Sequence, residues 1–136
     1  MNRVLVDSNV ILDIFLDDPY WADWSAVTLN QYVGSHVLTI NPIIYTEVSI
    51  GFVRIEELED ALANAGFQVL DIPREASFLA GKAFLQYKRQ QGTKLSTLPD
   101  FFVGAHAAVL QLDLITRDVS RYRTYFPTVN LISPPV

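Results

Sequence analysis

No cysteine occurs in the 136 residues of this chain, which excludes disulfides, thiolate zinc sites and a cysteine nucleophile, and suits a reducing compartment. Long apolar runs are missing as well. The longest candidate, FFVGAHAAVLQL, carries His106 and Gln111 and falls short of the ~18 apolar residues of a membrane span. Asp7 interrupts what would have to be the apolar core of a signal peptide, so the expected location is the cytoplasm, with no membrane attachment. Charge is scarce too, at 18% of residues against 50% hydrophobic, a composition that argues against disorder and for one compact domain over residues 1–136.

A net charge of −5 argues at first against nucleic acid, because phosphate binding leans on Lys and Arg. The charge is unevenly spread, however. Residues 1–73 set Arg3 and Arg54 against eleven acids, a balance of −9. Residues 74–123 set eight basic side chains, Arg117, Arg121 and Arg123 among them, against Glu75, Asp100, Asp113 and Asp118, a balance of +4. Such a half suits either a solvated basic helix face or a phosphate-binding one.

Short apolar runs alternate with helix-like segments, the pattern of βαβ units and a parallel sheet. Strands are expected at 3–6, 36–40, 67–72, 114–116 and 130–133, and helices at 8–17, 20–33, 42–53, 55–65, 74–91, 98–111 and 119–125. The expected fold class is therefore α/β, a three-layer arrangement with a central, mainly parallel sheet of about five strands flanked by helices. Ser8 is a natural N-cap after the first strand, Pro42 suits a helix's first turn, and Gly66 and Gly92 can end helices. No internal repeat, low-complexity tract or linker divides the chain.

In open α/β folds ligands bind outside the carboxyl ends of the strands, and four acids fall there. Asp7 closes the first strand, Asp118 follows LIT, Glu47 lies in the second turn of the helix leaving HVLTI, and Asp100 lies in the first turn of its own helix. The last placement requires Gln90 to Thr97 to carry the chain back across the sheet, a span of roughly 26 Å for eight extended residues. Each acid also has an ordinary structural explanation. Asp7 could accept hydrogen bonds from the helix start, Asp118 could cap the SRYRTYF helix, and Asp100 could favour the positive end of its own helix. Glu47 shares a helix face with Ile43, Ile44 and Gly51, so unpaired burial would cost several kcal/mol, and only Arg3 and Arg54 are available as partners in that half.

Carboxylates gathered at one sheet edge repel, by about 3 kcal/mol per pair at ~5 Å and an effective dielectric near 20. Either some are protonated or a cation lies among them. Oxygen donors without His or Cys suit Mg²⁺ or Mn²⁺ rather than zinc, and such an ion, by lowering the pKa of a bound water, supports phosphodiester hydrolysis.

Four segments together, LVDSNVILD, INPIIYTEVSIGF, LPDFFVGAHAAV and LITRDVSRYRTYFP, resemble the PIN domain, and more narrowly the VapC toxins of bacterial toxin–antitoxin pairs. The resemblance covers nearly the whole chain. It implies that Asp7, Glu47, Asp100 and Asp118 form the acidic pocket of a Mg²⁺-dependent endoribonuclease, with Asp7 and Asp100 matching the most direct metal ligands. Ser8 and Asn9 match the small polar positions after the first acid, and Thr116 matches the hydroxyl before the last; these would orient water, carboxylates or substrate. A cognate antitoxin wrapping an exposed groove, a toxin homodimer, and transfer or ribosomal RNA as substrate are implied likewise. Arg117, Arg121 and Arg123 are candidate phosphate contacts, with pairing to a neighbouring acid the alternative for Arg117. In DPYWADWSAV, the helical spacing of Tyr20, Trp21 and Trp24 suits core packing, and an exposed cluster there would suit a partner.

Rival functions fit less well. There is no GxSxG elbow, GxGxxG turn or Walker loop. His106, six residues beyond Asp100, turns away from that face and reads as packed or solvent-facing, and His36 reads as a strand-start residue. A receiver-type signalling domain also has an acidic Mg²⁺ pocket, but needs paired acids after the first strand and a late lysine, and here only Asp7 closes that strand and no lysine follows Lys94. A PIN-like binding module without activity is disfavoured by the full set of acids.

Overall fold

In the computed structural model, which describes residues 2–90, 92–93 and 98–135, unbroken apolar runs form strands covered on both faces. Val4, Leu5 and Val6 of β1 (Asn2–Val6) are completely buried, as are Ile40 in β2 (His36–Ile40) and Leu114 and Ile115 in β4 (Asp113–Ile115). Two-residue strands β3 (Gln68–Val69) and β5 (Leu131–Ile132) complete a five-stranded sheet of order β3-β2-β1-β4-β5. All four pairings are parallel, with Leu5 opposite both Thr39 and Leu114. The expected α/β class and parallel sheet are thus present.

Seven helices flank the sheet among the described residues: α1 (Ser8–Phe15), α2 (Ala22–Val33), α3 (Pro42–Val48), α4 (Ile55–Asn64), α5 (Arg74–Arg89), α6 (Pro99–Leu110) and α7 (Ser120–Tyr125). The chain moves outward from β1 through β2 to β3, then returns to β4 on the other side of β1 and runs out to β5. The strand order therefore reverses between β1 and β4, and a crevice opens beyond their carboxyl ends. The connection expected over Gln90 to Thr97 lies largely outside the described residues.

Local chemistry moved several boundaries. The expected strand 67–72 pairs over only two residues because β2 ends at Ile40 and Asn41 turns into α3; one further bond, Leu70 N–H to Ile40 O at 2.8 Å, ends the ladder. The helix expected over 42–53 breaks after Val48 into a 3₁₀ turn, Ser49–Gly51. There Ser49 Oγ donates to Thr46 O at 2.6 Å, a hydroxyl competing for the backbone. Gly51 lies close enough to Leu12 that an added Cβ would approach its Cδ2 to 3.2 Å. The first helix is capped by Asp7, not Ser8: Asp7 has extended backbone angles, and its carboxylate accepts the Ser8 N–H. Helix α2 starts at Ala22, because the Asp18 carboxylate accepts the N–H groups of Tyr20 and Trp21 in a preceding turn. The core expectation fails for Tyr20, which is 87% exposed, whereas Trp24 packs against the core.

Helix α6 is hydrophobic on nearly all sides and lies in the interior, with Phe101, Val103, Ala105 and Ala107 buried. Buried His106 on the same helix joins Asn41, the N-cap of α3. Asn41 Oδ1 accepts the Ile44 N–H, which orients the amide, so Nδ2 donates to His106 Nδ1 at 3.1 Å and the ring proton sits on Nε2. Burial lowers the His106 pKa and keeps the ring neutral. Between α6 and α7, Gly104 abuts the Phe126 ring so closely that a Cβ would overlap it. Gly104→Ala should therefore cost ~1–3 kcal/mol of stability through overpacking. Urea denaturation should show a lower midpoint with an unchanged slope; an unshifted midpoint would contradict the packing described.

Candidate active site

The crevice beyond β1 and β4 receives acids from four separate segments. Asp7 follows β1, and its backbone is pinned there because its N–H donates to Ile115 O at 2.9 Å. Its side chain is 4% exposed and accepts three hydrogen bonds. Oδ1 takes the Ser8 N–H at 2.9 Å, and Oδ2 takes the hydroxyls of Thr116 at 2.9 Å and Tyr122 at 2.7 Å. Because Asp7 caps α1 with its carboxylate, the Ser8 hydroxyl is free to reach across to α3, where it donates to Glu47 Oε1 at 3.0 Å. Glu47 is half-buried, and its partner is this hydroxyl, not Arg3 or Arg54, which bond elsewhere.

Asp100 lies in the first turn of α6, with Oδ1 3.4 Å from the Tyr122 hydroxyl and Oδ2 3.7 Å from Arg121 Nε. Asp118 is exposed in the loop after β4 and does not cap α7, whose N-cap is Val119. Its backbone N–H donates to Thr116 Oγ1 at 3.2 Å. That same oxygen accepts from Asn9 Nδ2 at 3.4 Å, while its proton goes to Asp7. Ser8, Asn9 and Thr116 thus hold the walls of the pocket together.

These carboxyls perturb one another. Asp7 is raised above the ordinary aspartate range, first by burial, then by the charge of Glu47, against the three hydrogen bonds that favour its ionised form. Glu47 is raised by burial and by Asp100, with Ser8 opposing. Asp100 is raised by burial and by the charges of Asp7 and Asp118, while Arg121 and Tyr122 oppose. Tyr122, buried beside these acids, is pushed well above the ordinary tyrosine range and stays protonated. Among the described residues no three acidic or imidazole groups converge on one ligating point. The chemistry of the donors nevertheless fits a hard divalent cation, since Mg²⁺ takes one or two carboxylates directly and reaches others through its waters.

Of the two roles open to Arg117, pairing with an acid is the one found. Its Nε donates to Asp13 Oδ2 at 2.6 Å and its Nη2 to Asp13 Oδ1 at 2.9 Å, and its guanidinium lies 5.1 Å from the Trp21 ring centroid. The side chain thereby ties α1 to the loop that carries Asp118. Arg121, by contrast, is one-third exposed, over the rings of Tyr87 and Phe101, and Arg123 is exposed.

Three participants are not marked as such by the sequence. Tyr122 follows Asp118 by four residues and forms an i, i+4 buried pair with Phe126, a signal of core packing that says nothing of its hydroxyl. Asp13 is buried on α1 four residues after Asn9; both meet Arg117, Asn9 through the Arg117 N–H. Asn41, in the sequence merely the residue before Pro42, joins α3 to α6.

Comparison with known proteins now bears on the site. A family model described as the PIN domain matches residues 4–127. No curated protein matches significantly. Solved structures do: VapBC2 from Rickettsia felis bound to a promoter DNA fragment, at TM-score 0.75 and 15% identity over 97% of this chain and 98% of that one. A toxin–antitoxin complex from Klebsiella pneumoniae gives 0.70 and 22% over 97% and 98%. FitAcB from Neisseria gonorrhoeae gives 0.70 and 18%, covering 96% of each chain. At such identities the likeness is one of fold.

The raised carboxyls set a pH dependence. Their folded-state pKa values exceed the unfolded ones, so the folded chain holds extra protons above the ordinary carboxyl range near pH 4. The stability they contribute is fully present below that range and is lost as the pH rises through the raised values. In chelator, the midpoint of thermal unfolding of Asp100→Asn relative to wild type should therefore increase between about pH 4 and about pH 7. A difference that stays flat with pH would show that Asp100 and its neighbouring carboxyls are not raised by burial and mutual repulsion.

Proposed function

The chain belongs to the PIN domain family, and from that premise we propose that it is a Mg²⁺-dependent endoribonuclease, the toxin of a toxin–antitoxin pair, acting as a single domain in the cytoplasm. The observation that carries this reading is that four carboxylates from four segments lie near enough at one sheet edge for their charges to raise the proton affinity of Asp7, Glu47 and Asp100, with Arg121 as the only cationic side chain paired with any of them among the described residues. Mn²⁺ can replace Mg²⁺ at such a site.

Asp7 and Asp100 would hold the metal, and Glu47 and Asp118 would complete the pocket. When bound, the ion supplies a water of lowered pKa and offsets charge on the phosphate. Hydrolysis of the phosphodiester adds a water oxygen to phosphorus and breaks the phosphorus–oxygen bond to the leaving nucleotide, whose oxygen takes up a proton from solvent. Glu47, half-buried and with a raised proton affinity, accepts the attacking water's proton. Ser8 orients Glu47, and Thr116 and Asn9 hold Asp7 and the Asp118 loop in register. Arg121, beside Asp100, and Arg123, in the last turn of α7, contact RNA phosphates.

A protein partner is supported by exposed apolar side chains: Leu16 at the end of α1, Ile50 and Val53 between α3 and α4, and Ile55 at the start of α4. A cognate antitoxin covers such a surface, and the toxin pairs with itself as a homodimer. The relatives of the same fold include proteins named as toxin–antitoxin complexes.

Purified antitoxin-free protein should cleave total RNA, transfer and ribosomal species being the candidate targets, with Mg²⁺ and not with chelator. Asp7→Asn and Asp100→Asn should each lower the rate by more than the about 10–100-fold typical of losing an outer-sphere partner. Metal-independent cleavage, or none, would sink the proposal; activity retained in either variant would remove that residue from the metal site.

A further inference from the structure

We propose that Tyr122 is a positioning residue for the metal ligands: its hydroxyl locks one oxygen of Asp7 and sets the separation of Asp7 from Asp100. The proposal rests on the reading above only in taking Asp7 and Asp100 as the ligands.

Packing accounts for the ring of Tyr122 but not for its oxygen. The side chain is 1% exposed, and a phenylalanine would fill nearly the same volume without burying a hydroxyl. That hydroxyl instead lies between two acids, 2.7 Å from Asp7 Oδ2 and 3.4 Å from Asp100 Oδ1. One proton cannot serve both at full strength, and the shorter contact takes it. The phenol oxygen is then a fixed spacer between the carboxylates, held by a buried ring on α7.

The lone-pair count on Asp7 follows from this. An ionised carboxylate offers about four acceptor positions. Thr116 and Tyr122 fill both on Oδ2, and the Ser8 N–H takes one on Oδ1. Counting the donors among the described residues, one position is left, on Oδ1. With donors on both oxygens from three different elements, the carboxylate cannot rotate, and it presents a single-oxygen ligand to a cation. Removing the Tyr122 hydroxyl reopens Oδ2 and frees that rotation.

The test uses Tyr122→Phe in the full-length chain, with Mn²⁺ alone as the probe, its affinity read by the electron paramagnetic resonance of the free ion. Tyr125→Phe, which removes a hydroxyl bonded to Gln90 from the same helix, is the control. Tyr122→Phe should keep its circular dichroism spectrum, bind Mn²⁺ more weakly by about 10–100-fold, and regain part of its RNA cleavage when Mn²⁺ is raised. Tyr125→Phe should bind as wild type does. An unchanged Mn²⁺ affinity in Tyr122→Phe overturns the proposal even if its melting temperature falls, since that is the behaviour of a structural hydroxyl. Should the variant not fold, 3-fluorotyrosine at position 122 of the otherwise wild-type chain should give a fluorine resonance that moves on Mg²⁺ saturation; a stationary resonance overturns the proposal equally. Wild-type protein that binds Mn²⁺ in a Tyr122-dependent way and cuts no RNA would leave this inference standing and defeat the nuclease reading.

Discussion

A carboxylate buried at the end of the central strand, with hydrogen bonds but no cation beside it among the described residues, is the constraint around which this molecule is arranged. Asp7 is 4% exposed and is satisfied by a backbone N–H and two hydroxyls. Burial disfavours its charge, and the three donors partly restore it. Each donor comes from a different place: the start of α1, the end of β4 and the middle of α7. Neither hydroxyl could reach Asp7 if β1 and β4 were not neighbours. The parallel sheet with its order reversed at β1 is thus a precondition of the site.

The same constraint reaches outward through short polar links. Once Asp7 takes over the capping of α1, Ser8 can hold Glu47 on α3. Asn41 caps α3 and joins it to His106 on α6, which carries Asp100. Three helices bearing pocket residues are thereby referred to one another through side chains that pack in the interior and not only through the sheet. Such fixed support holds a set of like charges at one place when unrestrained loops would let them drift apart.

Much of this was legible in the sequence, and for identifiable reasons. Apolar runs such as Val4–Val6 and Leu114–Ile115 admit little besides buried strands, and the acids that follow them stand out because the runs stop on them. Contacts between segments were less legible. Nothing local distinguishes Ser8 from Asp7 as a cap; the choice depends on Glu47 offering Ser8 an acceptor 39 residues away. The break after Val48 follows from Ser49 and from Leu12 lying against Gly51, the second a tertiary fact. Tyr122 reads as core because its ring is core, and only the proximity of two acids gives its hydroxyl a purpose.

Asp13 supplies an internal comparison. It lies on α1 as Asp7 lies at its start, it is equally buried at 4%, and it too accepts a hydroxyl, from Ser25 at 2.9 Å. For Asp13, however, the fold supplies an arginine in two-point contact, with the guanidinium set on Trp21. Arg117 is also the residue after Thr116, which bonds Asp7. The chain thus places a cation directly before the pocket's last acid, Asp118, and turns it to Asp13. An arginine directed at Asp7 would have neutralised the pocket permanently. Sending it to Asp13 leaves Asp7, Glu47 and Asp100 as a group that gains most from an exchangeable cation, and this separates a structural carboxylate from a candidate functional one on the same helix.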